Sequence, residues 1–432
     1  MKRIVLTILF FIPGIIVYSQ QAGTSSFDVA GIKVILKPTI KDIVNVSMYY
    51  KGGVANYTDD LAGIENLALL ATTECGAGKY TRDMFKNRAE SYGIEITGSS
   101  DYDFGVINMN CISRFFDQGW DLFVSAVSSP VFGEKELQML KEKVVSGIRQ
   151  SESIPDGRIN QLTMQHAFNG TPYARNPSGE EATIRKLTAA DVKNYYYNQL
   201  VNKNKMFIVV VGKITKEEIS KRIQAAFASL PVKPYKRVVY AAPALEDKKP
   251  LLEQRQLATN YITASINAPA MTSADYMPYR LAIAALSNKL FIEIRAKRNL
   301  SYAPYAFATT RLMPFGVMYV STTNPKASTE VMLDLLKKTM ENGFSYEELV
   351  SSKSGFITNN YIKEQSTAAI AASLGIAEVM GDWELADKAA ELIRKVRLEQ
   401  MNAVLKKYVN NVQWNYLGDL TLAGQEVFGS GI

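Results

Sequence analysis

The chain has 432 residues, 47% of them hydrophobic and 21% charged, with 15 Pro and 27 Gly; this balance excludes a disordered or collagen-like protein and predicts two domains or more. Lys and Arg outnumber Asp and Glu by 49 to 42, and the resulting +7 is spread along the chain, which reads as solubility and mild attraction to acidic partners, not as a nucleic-acid footprint. There is one histidine, His166, so any site that needs two is excluded within the chain, H-E-x-x-H and H-x-x-E-H zinc motifs included.

Met1-Lys2-Arg3, the apolar run Ile4–Val17 and the small residues Val17 and Ser19 have the layout of a secretory signal peptide over residues 1–19. The run is shorter than the ~20 residues of a membrane span, and no Cys follows it to carry a lipid anchor. The expected location is therefore outside the inner membrane, in the periplasm, with no stable membrane span after cleavage. Export would permit a disulfide between Cys75 and Cys111, although two buried free thiols fit the sequence equally well.

Beyond the signal, Ser26–Leu36 alternates as a strand does, and Ile43–Tyr50 is a second strand closed by Gly52-Gly53. Gly63–Thr73 reads as a helix, and Ile94–Ile96 and Phe104–Ile112 as strands joined by a turn over Gly98–Asp103. Phe115–Val127 and Glu134–Ser151 are helices separated by Pro130, and Ala189–Leu200 is another. The run K-M-F-I-V-V-V at 205–211 is a buried strand stopped by Gly212, followed by a helix over Lys216–Leu230. The second half repeats the order. Strands are expected at Gln256–Ile266, Tyr302–Thr309, Gly316–Thr323 and Trp414–Leu417, and helices at Met277–Lys297, Ser328–Asn342, Ser345–Gln365, Glu384–Ile393 and Leu398–Tyr408.

Local similarity supports a duplication: V-F-G-E-K-E-L at 131–137 returns as G-F-S-Y-E-E-L at 343–349. A period of roughly 210 residues is too long for a solenoid and points to two homologous α+β domains, 20–230 and 251–432. Between them, residues 231–250 hold four Pro and the run Glu246-Asp247-Lys248-Lys249, the composition of a linker. Two such domains on a flexible strap suggest a clam-like shell around a cleft.

Four segments in this order resemble the insulinase/pitrilysin peptidases, the inverted zincins: Y-Y-K-G-G at 49–53, D-L-A-G-I-E-N-L-A at 60–68, G-T-P-Y-A-R-N-P-S-G at 170–179 and N-K-M-F-I-V-V-V-G at 204–212. The resemblance covers nearly all of the mature chain and implies insulinase-like α/β sandwich domains, two of which form half of a clam-like shell. In that family H-x-x-E-H puts two imidazoles on one helical face, where both reach one zinc while the Glu activates its water. Here the corresponding positions are Asn66, Leu69 and Leu70, and the third ligand, a Glu in the family, falls at Gly147. Zinc needs lone pairs from N, O or S, so no metal is expected on this chain and the helix reads as plain core.

The resemblance does reach a second feature. L-F-I-E-I-R-A-K-R-N-L-S-Y at 290–302 is similar to the family's Arg/Tyr pair, which contacts substrate opposite the zinc; Arg295 and Tyr302 have its seven-residue spacing. A guanidinium fork can hold peptide carbonyls or a carboxylate, and a phenol can donate to a developing oxyanion. The plainer alternative pairs Arg295 with Glu293 and packs Tyr302 in a strand. Gly98 and Ser99 match the family's edge strand, against which a peptide can lie, and Ser99 could equally be a turn residue. His166 reads as a packed or capping residue.

Some insulinase-like bacterial peptidases divide the work between two chains, one carrying H-x-x-E-H and the other Arg/Tyr. The resemblance thus implies a non-catalytic subunit, not a peptidase on its own. It would bind no cofactor itself and would contribute Arg295 and Tyr302 to a zinc-bearing homologue that degrades peptides. A stand-alone peptide-binding or scaffold protein is the alternative, and an active peptidase with a relocated metal site is disfavoured by the single His and two distant Cys.

Overall fold

The computed structural model describes residues 23–243, 245 and 249–429; the signal-peptide reading and part of the charged linker run lie outside the described residues. The first half contains β1 (Ser25–Val29), β2 (Ile32–Pro38), β3 (Ile43–Lys51), α1 (Ile64–Glu74), α2 (Arg82–Ser91), β4 (Glu95–Ser100), β5 (Phe104–Ile112), α3 (Phe116–Ser128), α4 (Glu134–Ser153), α5 (Pro155–Ala167), α6 (Glu181–Lys186), α7 (Ala189–Tyr195), β6 (Met206–Gly212) and α8 (Lys216–Phe227). The second half contains β7 (Leu251–Gln254), β8 (Asn260–Asn267), α9 (Tyr276–Leu290), β9 (Tyr305–Ala308), β10 (Phe315–Thr322), α10 (Pro325–Asn342), α11 (Tyr346–Lys363), α12 (Thr367–Met380), α13 (Glu384–Asp387), α14 (Ala389–Lys395), α15 (Leu398–Tyr408) and β11 (Gln413–Gly418). The fold is α+β.

The strands form two sheets, β1-β2-β6-β3-β5-β4 and β7-β11-β8-β10-β9. Without β1 the two orders superimpose, with β2 matching β7, β6 matching β11, β3 matching β8, β5 matching β10 and β4 matching β9. The directions agree as well: β2–β6 and β7–β11 are the parallel pairs, and the rest are antiparallel. The expected strand at 26–36 is a hairpin, because Ala30 and Gly31 both take positive φ (57° and 79°), the geometry of a tight two-residue turn.

Each sheet is covered on one face by helices of its own half and on the other by a helix from the opposite half. In β6, Ile208 and Val210 point into the core shared with α1, α3 and α8, while Phe207, Val209 and Val211 point the other way, as the two-residue period of a strand requires. That second face is closed by α12, whose Ile370, Ala371 and Leu374 pack on Ile35, Tyr49 and Phe207. Gly375 makes this approach possible, since a Cβ there would lie 2.1 Å from Cζ of Tyr49. Charges fasten the rim: Glu378 on α12 accepts Lys33 at 2.8 Å and lies 3.5 Å from Lys51, and Arg237 donates to the carbonyl of Val379 at 2.9 Å. In return α5 lies on the second sheet, with a 2.6 Å Thr163–Thr263 hydroxyl bond and a 2.8 Å contact between Nδ1 of His166 and Oδ1 of Asn415. His166 is thus a packing residue between the halves.

The strap is anchored at intervals. Lys233 donates to the carbonyl of Tyr197 at 2.8 Å, Tyr240 packs edge-on against Tyr173, and Leu245 is buried. Cys75 and Cys111 are buried free thiols, each pushed up to about 12 by desolvation.

Candidate functional site

Leu69, which the resemblance aligns with the insulinase family's general base, is fully buried on α1. Two glycines make room for it: a Cβ at Gly105 would stand 2.3 Å from its Cδ1, and one at Gly98 would stand 2.0 Å from its carbonyl oxygen. Asn66 spends its Oδ1 on the backbone N–H of Ser100 at 3.3 Å, and Leu70 is half-buried. Gly147 lies on the solvent side of α4 with nothing within 4 Å of an added Cβ. Asn66 and Leu69 thus both reach β4, and Gly147 faces solvent from α4. Hydrocarbon fills the space where zinc would need donors, so these residues do not fit the metal. Among the described residues no group of three His, Cys, Asp or Glu side chains could hold one.

The sequence reading missed Glu65, one position before Asn66. Its carboxylate is fully buried, with Oε2 accepting from the hydroxyl of Tyr195 at 2.6 Å and Nδ2 of Asn56 at 2.7 Å, and Oε1 accepting from Ser100 Oγ at 3.2 Å. Lys205 stands behind Asn56, donating to its Oδ1 at 2.8 Å. Desolvation pushes the Glu65 carboxyl up to about 7, against the pull of these donors. Three residues from separate elements meet on this one side chain, with Lys205 behind one of them, and nothing in the local pattern announces it.

The strand β4 continues through Gly98 and Ser99 to Ser100, so the expected turn is confined to residues 101–103. It is the outermost strand of its sheet and Ser99 is exposed.

Arg295 sits in a π-helical turn, Phe291–Ala296, that continues α9; wide turns of this kind re-aim side chains and recur at functional sites. Its guanidinium lies 4.2 Å from the ring centroid of Tyr302 and 5.0 Å from that of Phe291. Glu293 is occupied instead by Lys297 and Arg298, at 2.6 and 2.5 Å, which removes the plain Arg295–Glu293 pair. Tyr302 precedes β9, outside any strand, and is 77% exposed. These cation–π contacts hold the guanidinium between two rings while its N–H groups have no hydrogen-bond acceptor among the described residues. Arg295 and Tyr302 share no hydrogen bond, ion pair or ring contact with the α1 group among the described residues.

Residues 186–356 match the family described as "Peptidase M16 inactive domain". "Non-peptidase homolog YmxG" of Helicobacter pylori is 20% identical over 69% of this chain and 69% of its own length. The crystal structure of a peptidase M16 inactive domain from Pseudomonas fluorescens is similar with a TM-score of 0.81 at 17% identity, over 92% of this chain and 98% of that one. The periplasmic protease PqqL from Escherichia coli is similar with a TM-score of 0.75 at 13% identity, over 97% of this chain and 48% of that one. The structural likenesses establish the fold. Residues 186–356 are thus similar to an M16 inactive domain, and the whole chain has the fold of such domains.

Proposed function

We propose that this chain is an exported, periplasmic, non-catalytic subunit that pairs with a zinc-bearing homologue and supplies substrate contacts for peptide degradation. The observation that carries the reading is the Arg295–Tyr302 contact, with Tyr302 exposed and Arg295 in no ion pair among the described residues, on a chain where Leu69 and Leu70 stand at the positions that the resemblance aligns with zinc chemistry. Such a pair has work to do only if another molecule brings the reacting centre to it. The guanidinium would hold a peptide carbonyl or carboxylate, and the Tyr302 hydroxyl would donate to the oxyanion that forms at the scissile carbonyl. In support, this chain covers about half of PqqL, a protease long enough to hold two such units. Ser99 on the open edge of β4 would add main-chain pairing for an extended substrate.

Co-expression with a secreted H-x-x-E-H homologue encoded nearby tests the proposal. The two chains should co-purify, the mixture should cleave peptides, and neither chain alone should do so at the same rate. An Arg295→Ala complex should assemble normally and lose activity. A homologue that is equally active with and without this chain would overturn the reading and leave stand-alone peptide binding, for which the open edge of β4 needs no zinc.

A further inference from the structure

Between the two halves lies a cleft of about 370 Å³, within the ~300–1,000 Å³ range of small-ligand sites. We propose that this cleft binds the C-terminal carboxylate of a short peptide, with Arg311 as its anchor. The inference is independent of pairing with a zinc subunit, because every residue it uses belongs to this chain.

Arg311 lines the cleft from the segment between β9 and β10. Its guanidinium carbon lies 4.0 Å from the ring centroid of Tyr102, and Nη1 donates to Sδ of Met164 at 3.2 Å. The next two residues are tied down, Leu312 N–H to Oδ2 of Asp103 at 3.1 Å and Met313 N–H to the Tyr173 hydroxyl at 3.3 Å. Asp103, the buried carboxylate that feels this cation, is taken up by Leu312 and Tyr173. No carboxylate lies within 4 Å of Arg311 among the described residues. A held guanidinium with five donors and one weak sulfur acceptor is a site for an oxyanion.

The amides of the cleft add donors. Gln161 accepts from Nη1 of Arg158 at 2.8 Å and Asn176 accepts from the N–H of Ser178 at 3.0 Å. Both partners can only donate, which fixes each amide's orientation and leaves its NH₂ group for the cleft. Arg311, Gln161 and Asn176 gather donors on one part of the lining, which suits a ligand rich in acceptors there, and a terminal carboxylate followed by peptide carbonyls is one. Phe307 and Phe315 form an apolar wall for a side chain. Glu152 also lines the cleft and disfavours polyanions, nucleotides among them.

The test uses the full chain alone and an N-terminally dansylated tetrapeptide ending in phenylalanine, titrated by fluorescence anisotropy as the free acid and as the C-terminal amide. The free acid should bind saturably and the amide about tenfold or more weakly. Arg311→Gln should bring the two to the same weak affinity. Asn176→Asp keeps the bond from Ser178 and puts an anion in place of the donor, so it should weaken the acid and spare the amide, and it serves as the second variant if Arg311→Gln does not fold. Unlabelled 3-phenylpropionate, a carboxylate without a peptide, should compete at least tenfold less well than the unlabelled tetrapeptide. Equal binding of acid and amide, no saturable binding of either up to millimolar peptide, or wild-type behaviour of both variants would overturn the proposal. Equal competition by 3-phenylpropionate would replace the peptide with a small organic acid.

Discussion

Tyr302 and Leu69 are opposite kinds of residue, and their substitutions should separate cleanly. Tyr302 is 77% exposed, so Tyr302→Phe should leave thermal stability within about 0.5 kcal/mol while lowering kcat of the mixed complex about 10²-fold, as expected for a lost oxyanion donor. A change confined to KM would assign the hydroxyl to ground-state binding. Arg298, held by Glu293, is the control, and its alanine variant should turn over like wild type. Leu69→Glu places a carboxylate in a fully buried apolar site. It should restore no hydrolysis, because both imidazoles and the third carboxylate would still be missing, and it should lower the urea unfolding free energy by about 2–5 kcal/mol.

Glu65 gives the same helix a pH signature. Its folded pKa is raised from 4.5 to about 7, so the folded state holds its proton more tightly than the unfolded chain. The stability this contributes is complete below about pH 4.5, declines as pH rises toward 7, and is gone above. At 1.36 kcal/mol per unit the change is of order 3 kcal/mol. Asp103, raised to about 6 by burial, tilts the profile the same way, so the quantity to measure is the difference between wild type and Glu65→Gln. That difference in unfolding free energy should fall between pH 5 and pH 7.5; a flat difference would show that Glu65 stays ionised through this range.

At the scale of elements, legibility followed the contrast between buried and exposed faces. α4, α10 and α15 have one apolar stripe each and were readable at close to their true bounds; the uniformly apolar β6 was readable as a strand buried on both sides. α12 was not read, because T-A-A-I-A-A-S-L-G-I-A-E-V-M has small apolar residues almost all round and little 3.6-residue contrast. α5 was legible only as a helix around His166, without bounds, for a related reason: its buried side carries Thr163 and the half-buried His166 against polar groups of another sheet. In β4 the pair Gly98-Ser99 looked like a turn, and the glycine is there because the α1 backbone passes too close for a side chain. At the candidate site, local motif alone singles out Asn66, Leu69, Leu70 and the Arg295/Tyr302 spacing as the positions to test. The Glu65 cluster was not legible, since its partners at 56, 100, 195 and 205 meet only in three dimensions. The crossing of α12 is testable at one atom: Gly375→Val drives a branched side chain into the ring of Tyr49 and should lower the denaturation midpoint by the equivalent of about 1–3 kcal/mol or more. A wild-type midpoint would mean that α12 can lift off at little cost.

For the whole molecule, the reciprocal placement of α5 and α12 makes each half part of the other's core. Unfolding one half strips the cover from Tyr49, Phe207, Val209 and Val211 of the other. Calorimetry should therefore record one cooperative transition, with the van't Hoff and calorimetric enthalpies in agreement. Two resolved transitions would show that each half is stable without its borrowed helix.

The exchange also bears on how such a molecule can be encoded. A polypeptide stopping at Leu230 would retain α5 and lack α12; one starting at Leu251 would retain α12 and lack α5. Made separately, each piece would offer the missing helix of the other, and the uncovered sheet faces would supply the affinity that draws them together. The covalent join between them guarantees equal dosage and a high local concentration, but the tertiary object itself does not depend on it. A gene interrupted in the strap, giving two polypeptides in place of one, would still specify the same architecture.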